Sequence, residues 1–217
     1  MLAEKFHDVK FEAGCDEAGR GCLAGSVFAA AVIFPQGYAN EEIKDSKKLS
    51  AKKRYALREE IQKNAWAWAV GEVLPEEIDE INILNASILA MHRALDRLKV
   101  RPEAVIVDGN RFKPYGNVPC DTIVKGDDKY LSIAAASILA KTYRDDYMER
   151  IDKEYPQYHW SKNKGYPTVE QRDAIRKYGI TKYHRRSFAQ LPVNEPMLPF
   201  DFEEKICDNK LESKNLL

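Results

Sequence analysis

The chain has 217 residues, 44% of them hydrophobic and 31% charged, and its 34 basic residues balance its 34 acidic ones. That describes one well-filled domain with room for extra helices. No apolar run approaches the roughly 20 residues of a bilayer crossing, so a membrane protein is excluded. Residues 1–9 carry charges throughout, where a signal peptide would be apolar. The four cysteines (Cys15, Cys22, Cys120, Cys207) show no CxxC pairing, so a cytoplasmic protein with reduced thiols is expected and zinc is not.

In chain order, residues 11–15 and 27–34 read as two strands joined by a polar, glycine-rich loop, with Pro35 and Gly37 ending the second. Ser50 is a good N-cap for a helix whose modest apolar face is Tyr55, Leu57 and Ile61. Residues 66–73 have strand composition. Pro75 opens a long amphipathic helix, or two consecutive ones, stepping through Ile78, Ile81, Leu84, Ile88, Met91, Leu95 and Leu98. Residues 104–107 are a short apolar run that ends in Asp108-Gly109, the way a buried strand of an α/β sheet delivers a carboxylate to its edge. Residues 118–124 read as one more strand, closing at Lys125-Gly126-Asp127-Asp128. Residues 129–155 read as a helix buried at first and solvated later, and Thr168 to Gln171 as the capping box of a last helix ending near Gly179. These elements predict an α/β fold: a mixed sheet of about five strands, the first three antiparallel, covered on both faces. One domain is expected over residues 1–192, followed by a polar, partly disordered tail over 193–217.

The chemistry concentrates in Asp16-Glu17-Ala18-Gly19-Arg20-Gly21. Two adjacent acids at a strand end make either a solvated turn or a metal site beside a backbone that a ligand approaches closely. Asp108 and Asp127 stand at or just beyond other strand ends, where side chains converge. Carboxylates that crowd together raise one another's proton affinity, and a pair of divalent ions would resolve the conflict. All-oxygen donors select Mg²⁺ or Mn²⁺, and two such ions about 4 Å apart can activate water for attack on phosphorus. Alone, Asp108 reads better as a helix-capping or turn residue of an Asp-Gly turn; the joint placement of three or four acids favours metal. Neutral net charge argues against a nucleic-acid partner, yet basic residues cluster at Lys44 to Arg54, at Lys162 and Lys164, and at Lys182 to Arg186.

Several motifs occur in a fixed order: Asp16-Glu17-Ala18-Gly19-Arg20-Gly21, Asp45-Ser46-Lys47-Lys48-Leu49, Val107-Asp108-Gly109-Asn110, Lys125-Gly126-Asp127, the run from Ala134 to Lys141, Lys164-Gly165-Tyr166-Pro167, and His184-Arg185-Arg186-Ser187-Phe188. This ordered set resembles ribonuclease HII, the prokaryotic type 2 ribonuclease H, over roughly residues 11–188. The resemblance implies an RNase H-like fold with a helical C-terminal extension. It also implies endonucleolytic cleavage of RNA in RNA–DNA hybrids and incision 5′ to single ribonucleotides in duplex DNA, leaving 3′-hydroxyl and 5′-phosphate ends. By motif, Asp16, Glu17, Asp108 and Asp127 become the metal-binding catalytic acids for Mn²⁺ or Mg²⁺, with Asp128 and Asp145 as alternatives to Asp127. The backbone of Gly19, Arg20 and Gly21 would read the 2′-hydroxyl. Tyr166 would pack on the neighbouring deoxyribose, and Lys47 and Lys48 would hold phosphates. His184, Arg185 and Arg186 leave two readings open, phosphate contact or structural pairing, and the role of Lys141 stays open too. The family usually has proline where Cys22 and Ser26 stand. A monomer acting on nucleic acid, away from membranes, is expected. Two rival readings are an idle hybrid-binding module and a nucleotide phosphotransferase. Intact acids at every motif position argue against the first, and the lack of a P-loop lysine motif against the second.

Overall fold

The computed structural model describes residues 2–44 and 46–192. The tail expected at 193–217 lies outside the described residues. Strands β1 (Glu12–Ala18), β2 (Val27–Ile33), β3 (Ala67–Val73), β4 (Ala104–Asp108) and β5 (Cys120–Ile123) form one sheet in the order β3-β2-β1-β4-β5. β1, β2 and β3 pair antiparallel, while β4 joins β1 and β5 joins β4 in parallel. The mixed five-stranded sheet is as the sequence predicts. All seven residues of β2 are buried, so this strand reads as a continuous apolar run; β3, at the edge, alternates buried and half-buried positions.

Helix α2 (Pro75–Asp96) covers one face, packing Ile78, Ala86, Ala90 and Met91 on Ala13, Cys15, Ala29 and Ala31. Helices α1 (Ala51–Asn64) and α3 (Leu131–Asp152) cover the other, with Leu57, Ile61, Ile138 and Leu139 over Ala30 and Val32. Each large apolar side chain so buried contributes about 1.5–3 kcal/mol. Gly14 lets α3 settle directly on β1, because a Cβ there would lie 2.4 Å from Ser132 Oγ. Short helices α4 (Trp160–Asn163) and α5 (Val169–Tyr178) enclose a third cluster around Tyr158, Trp160 and Met148. Ser50 caps α1 through the Lys53 N–H, and Thr168 caps α5 through the Gln171 N–H.

One local detail differs from the sequence reading, and another settles an alternative it left open. The second half of α3 is not solvated on all sides: Arg144 and Asp145 are buried, because each has partners inside the fold. α2 breaks at Asn82, whose φ of 66° lies in the left-handed half of backbone space; its side chain then caps the next turn by accepting the Asn85 N–H at 3.1 Å.

Candidate active site

β1 does not stop before the acids. It runs to Ala18, and Asp16 and Glu17 pair with Ala30 and Ala29 of β2. Strand alternation therefore sends the two carboxylates to opposite faces. Asp16 points towards α3, where Ser137 hydrogen-bonds to it, and accepts the Glu17 N–H at 2.7 Å. Ser137 in turn meets Ser46 Oγ at 3.0 Å. Glu17 points towards α2, where Arg20 Nη1 donates to it at 3.1 Å beside Ser87, Ile88 and Met91. The parallel register of Cys15 with Val107 brings Asp108, at the end of β4, alongside Asp16. Asp108 Oδ1 accepts the Gly126 N–H at 2.7 Å.

Burial pushes the proton affinity of Asp16 well above the usual carboxylate range, and the charges of Glu17 and Asp108 push it further. Burial also raises Glu17; Arg20 opposes that rise and Asp108 adds to it. Three carboxylates thus act on one another across one site. Asp127 sits on the 3-10 turn Gly126–Asp128, next to the glycine that binds Asp108, with its carboxylate 3.7 Å from Lys47 Nζ. Asp128 is paired with Lys48 at 2.6 Å at the surface. Asp145 is buried between Lys141 and Arg54, so its charge already has two cationic partners. Asp16, Glu17 and Asp108 are the side chains able to hold a cation, with Asp127 at their edge. Among the described residues no three such groups are already drawn into a metal-binding cluster.

A cleft of about 280 Å³ opens over these acids. Around Asp16, Glu17 and Asp108 its lining includes Gly19, Arg20 and Gly21, the bases Lys47, Arg54 and Lys141, and Tyr166. Asp127 and Lys48 are not part of that lining. Tyr166 is half exposed, with burial and a hydrogen bond to Cys22 raising its pKa. Burial pushes the Lys141 ammonium down, against the pull of Asp145.

The glycine loop is held from below by two arginines. Gly19 has φ 99°, and the position of a Cβ there falls 2.1 Å from Arg144 Nε. Only a residue without a side chain fits. Arg144, 1% exposed, donates to the carbonyls of Ser26, Ala24 and Lys164 at 2.9–3.1 Å. Arg185, fully buried, donates to Gly25 O at 2.7 and 2.9 Å and to Arg20 O at 2.9 Å. Burial, then the neighbouring Arg144, pushes Arg185 down to about 10, so it stays charged at neutral pH. His184 is buried too, and its Nδ1 accepts the Thr181 N–H at 2.9 Å. The backbone N–H of Arg186 is tied to Asp79 at 2.9 Å. Of the two readings for this motif, structural pairing holds for His184 and Arg185. Sequence reasoning placed Arg54 in a basic cluster and Ser137 in a motif without giving either a role at the acids, and it gave Arg144 none. Arg144 gives the weakest signal, since its partners Ala24 and Ser26 lie about 120 residues away.

A sequence model of the ribonuclease HII family matches residues 13–191. The chain belongs to the ribonuclease HII family. It is 68% identical to the ribonuclease HII of Bacteroides thetaiotaomicron over 200 residues, covering 92% of this chain and 100% of that one. The ribonuclease HII of Parabacteroides distasonis is 66% identical over 192 residues, 88% of this chain and 96% of the relative. Among solved structures, the RNase HII in a PCNA:RNase HII complex from Archaeoglobus fulgidus superposes with a TM-score of 0.70 at 28% identity, covering 87% of this chain and 98% of that one. The ribonuclease H2 of Pyrococcus horikoshii gives 0.69 at 26% identity, covering 83% and 94%. Family membership makes the protein a type 2 ribonuclease H, a nuclease of the RNA–DNA hybrid class with an RNase H-like α/β fold. Cys22 and Ser26, just after the glycine loop, are both buried. No helix among the described residues is long and apolar enough to cross a membrane.

Proposed function

We propose that the protein incises duplex DNA 5′ to a single embedded ribonucleotide, as well as cutting RNA in RNA–DNA hybrids, leaving 3′-hydroxyl and 5′-phosphate ends by a two-metal-ion mechanism. The observation that carries this reading is the trio Asp16, Glu17 and Asp108: three carboxylates at one sheet edge, burial and mutual repulsion acting on two of them, under a cleft with basic walls. Their donor chemistry fits a hard divalent cation. All the donors are oxygens, and a cation would relieve the repulsion that now raises proton affinity. Asp127 completes the acid set from the turn that carries Gly126. Bound there, Mn²⁺ or Mg²⁺ would supply Lewis-acid activation of the attacking water and of the leaving oxygen.

The chain's own residues supply the rest. Gly126 N–H and Ser137 orient Asp108 and Asp16. Lys47 and Lys48 hold substrate phosphates, so affinity falls as salt rises. The main chain of Gly19, Arg20 and Gly21 reads the 2′-hydroxyl, the group that separates RNA from DNA. Tyr166, half exposed at the cleft wall, packs on the deoxyribose beside the ribonucleotide. The enzyme acts in the cytoplasm as a monomer. Incubating the protein with a duplex carrying one ribonucleotide, in Mn²⁺ and in EDTA, tests the reading. Cleavage in Mn²⁺ that EDTA abolishes is expected; an intact duplex in both would overturn it.

A further inference from the structure

We propose that Arg144 is the positioning residue that makes the glycine loop and Tyr166 one rigid reading surface, and that it thereby sets the preference for a ribonucleotide flanked by deoxyribose over a continuous RNA strand. The inference rests on the reading of the cleft given above.

The geometry is specific to an arginine fork. The Nε and Nη2 groups bond Ser26 O and Ala24 O, both at 3.1 Å, on the strand-ward limb of the glycine loop. The Nη1 group bonds Lys164 O at 2.9 Å, two residues before Tyr166. Gly19 lies flat against the same guanidinium, with Nε, Cδ and Cζ at 2.1, 2.6 and 2.9 Å from where its Cβ would be. One side chain therefore touches the loop at three residues and the Tyr166 turn at one. A direct backbone bond, Leu23 N–H to Gly165 O at 2.7 Å, joins the same two segments beside it.

Nothing about the charge requires an arginine here. No carboxylate pairs with Arg144 among the described residues, and a buried cation is costly by itself. What the guanidinium offers is several donors in a fixed plane, which a lysine's point charge cannot reproduce. Arg185 provides the internal contrast. It braces the loop through Arg20 O and Gly25 O, and none of its hydrogen bonds reaches residues 164–166. Arg185 thus supports 2′-hydroxyl reading on every substrate. Of the two arginines, Arg144 reaches both the 2′-hydroxyl reader and the deoxyribose reader, so its loss should separate two substrates that Arg185 treats alike.

The experiment measures kcat/KM on a duplex with one embedded ribonucleotide and on a uniform RNA–DNA hybrid, for the natural protein, Arg144→Lys and Arg185→Lys. The ratio within one preparation is independent of how much of it is folded, and Arg144→Gln carries the same measurement if the lysine variant expresses poorly. Arg144→Lys should lower the embedded-ribonucleotide to hybrid ratio roughly tenfold, the worth of one lost charge-assisted hydrogen bond. Arg185→Lys should lower both activities with the ratio kept. A ratio unchanged in the Arg144 variants, or lowered equally by Arg185→Lys, would overturn the proposal. If the natural protein itself does not cleave the embedded ribonucleotide, the reading of the cleft fails instead, and the two failures are told apart.

Discussion

Asp108 is held by a single backbone donor, Gly126 N–H at 2.7 Å, so replacing it with asparagine keeps the shape and that hydrogen bond while removing the charge. Asp108→Asn is expected to abolish cleavage and to leave hybrid binding intact, checked by a gel-shift titration beside an activity assay. An active variant would show that the carboxylate is not a ligand. Tyr166 contributes ring surface rather than charge, and Tyr166→Ala should cost more on a duplex with one ribonucleotide than on a continuous hybrid; equal losses in kcat/KM would contradict its selecting role. At this scale the sequence is informative where chemistry is local. Asp16 and Glu17 stand out because two acids interrupt an apolar run. Arg144 does not stand out, because its partners are carbonyls of Ala24, Ser26 and Lys164, invisible in any spacing rule.

The elements follow their hydrophobic periods to within a few residues at their ends, and the misplaced boundary nearest the acids has a physical cause. Asp16 and Glu17 look like the end of β1 because strands seldom bury adjacent acids, yet the strand runs through both to Ala18 and uses its alternation to turn one carboxylate to each face. The break in α2 is the other place where pattern is silent. Its apolar spacing is compatible with one helix or two, and Asn82 decides by adopting φ 66° and ψ 164°. That region is nearly exclusive to glycine and costs an asparagine of order 1–3 kcal/mol, while glycine as an N-cap loses only a few tenths. Asn82→Gly should therefore stabilise the protein by about 1 kcal/mol in urea unfolding, and Asn82→Ala should destabilise it. The C-terminal motif shows the same limit of sequence: His184-Arg185-Arg186 leaves phosphate contact and structural pairing open, and tertiary contacts bury His184 and Arg185.

The molecule as a whole resolves the puzzle of zero net charge. Acids gather at the sheet edge while lysines and arginines wall the cleft above them, so opposite charges sum to nothing while each does separate chemistry. Burial of the C-terminal segment against the rest of the fold also sets a pH dependence. His184 is pushed from 6.5 down to about 3 by desolvation, so it is neutral in the native state. The unfolded chain takes up this proton below pH 6.5, so the histidine's contribution to stability is whole above that pH and is lost as pH falls towards 3, by about 1.4 kcal/mol per unit. The burial of Asp16 and Glu17 acts with the opposite sign, because their native pKa values are raised. The difference between the pH–stability curves of the natural protein and His184→Gln isolates the histidine: the variant's curve should fall less steeply between pH 6 and 4, and parallel curves would contradict this account. The mixed sheet, its antiparallel first three strands and the helices covering both faces are readable from the order of the elements, whereas the way residues 181–192 lock the glycine loop is not, because that depends on backbone carbonyls meeting across some 160 residues of chain.

The central claim is that the acids cut beside the sugar that the glycine loop reads. Mapping both ends of the products from a duplex with one embedded ribonucleotide, in Mn²⁺, tests it most directly. The account predicts a single cut on the 5′ side, with a 3′-hydroxyl on the upstream fragment and the ribonucleotide carrying a 5′-phosphate downstream. A cut on the 3′ side of the ribonucleotide, or ends bearing a 2′,3′-cyclic phosphate, would contradict it.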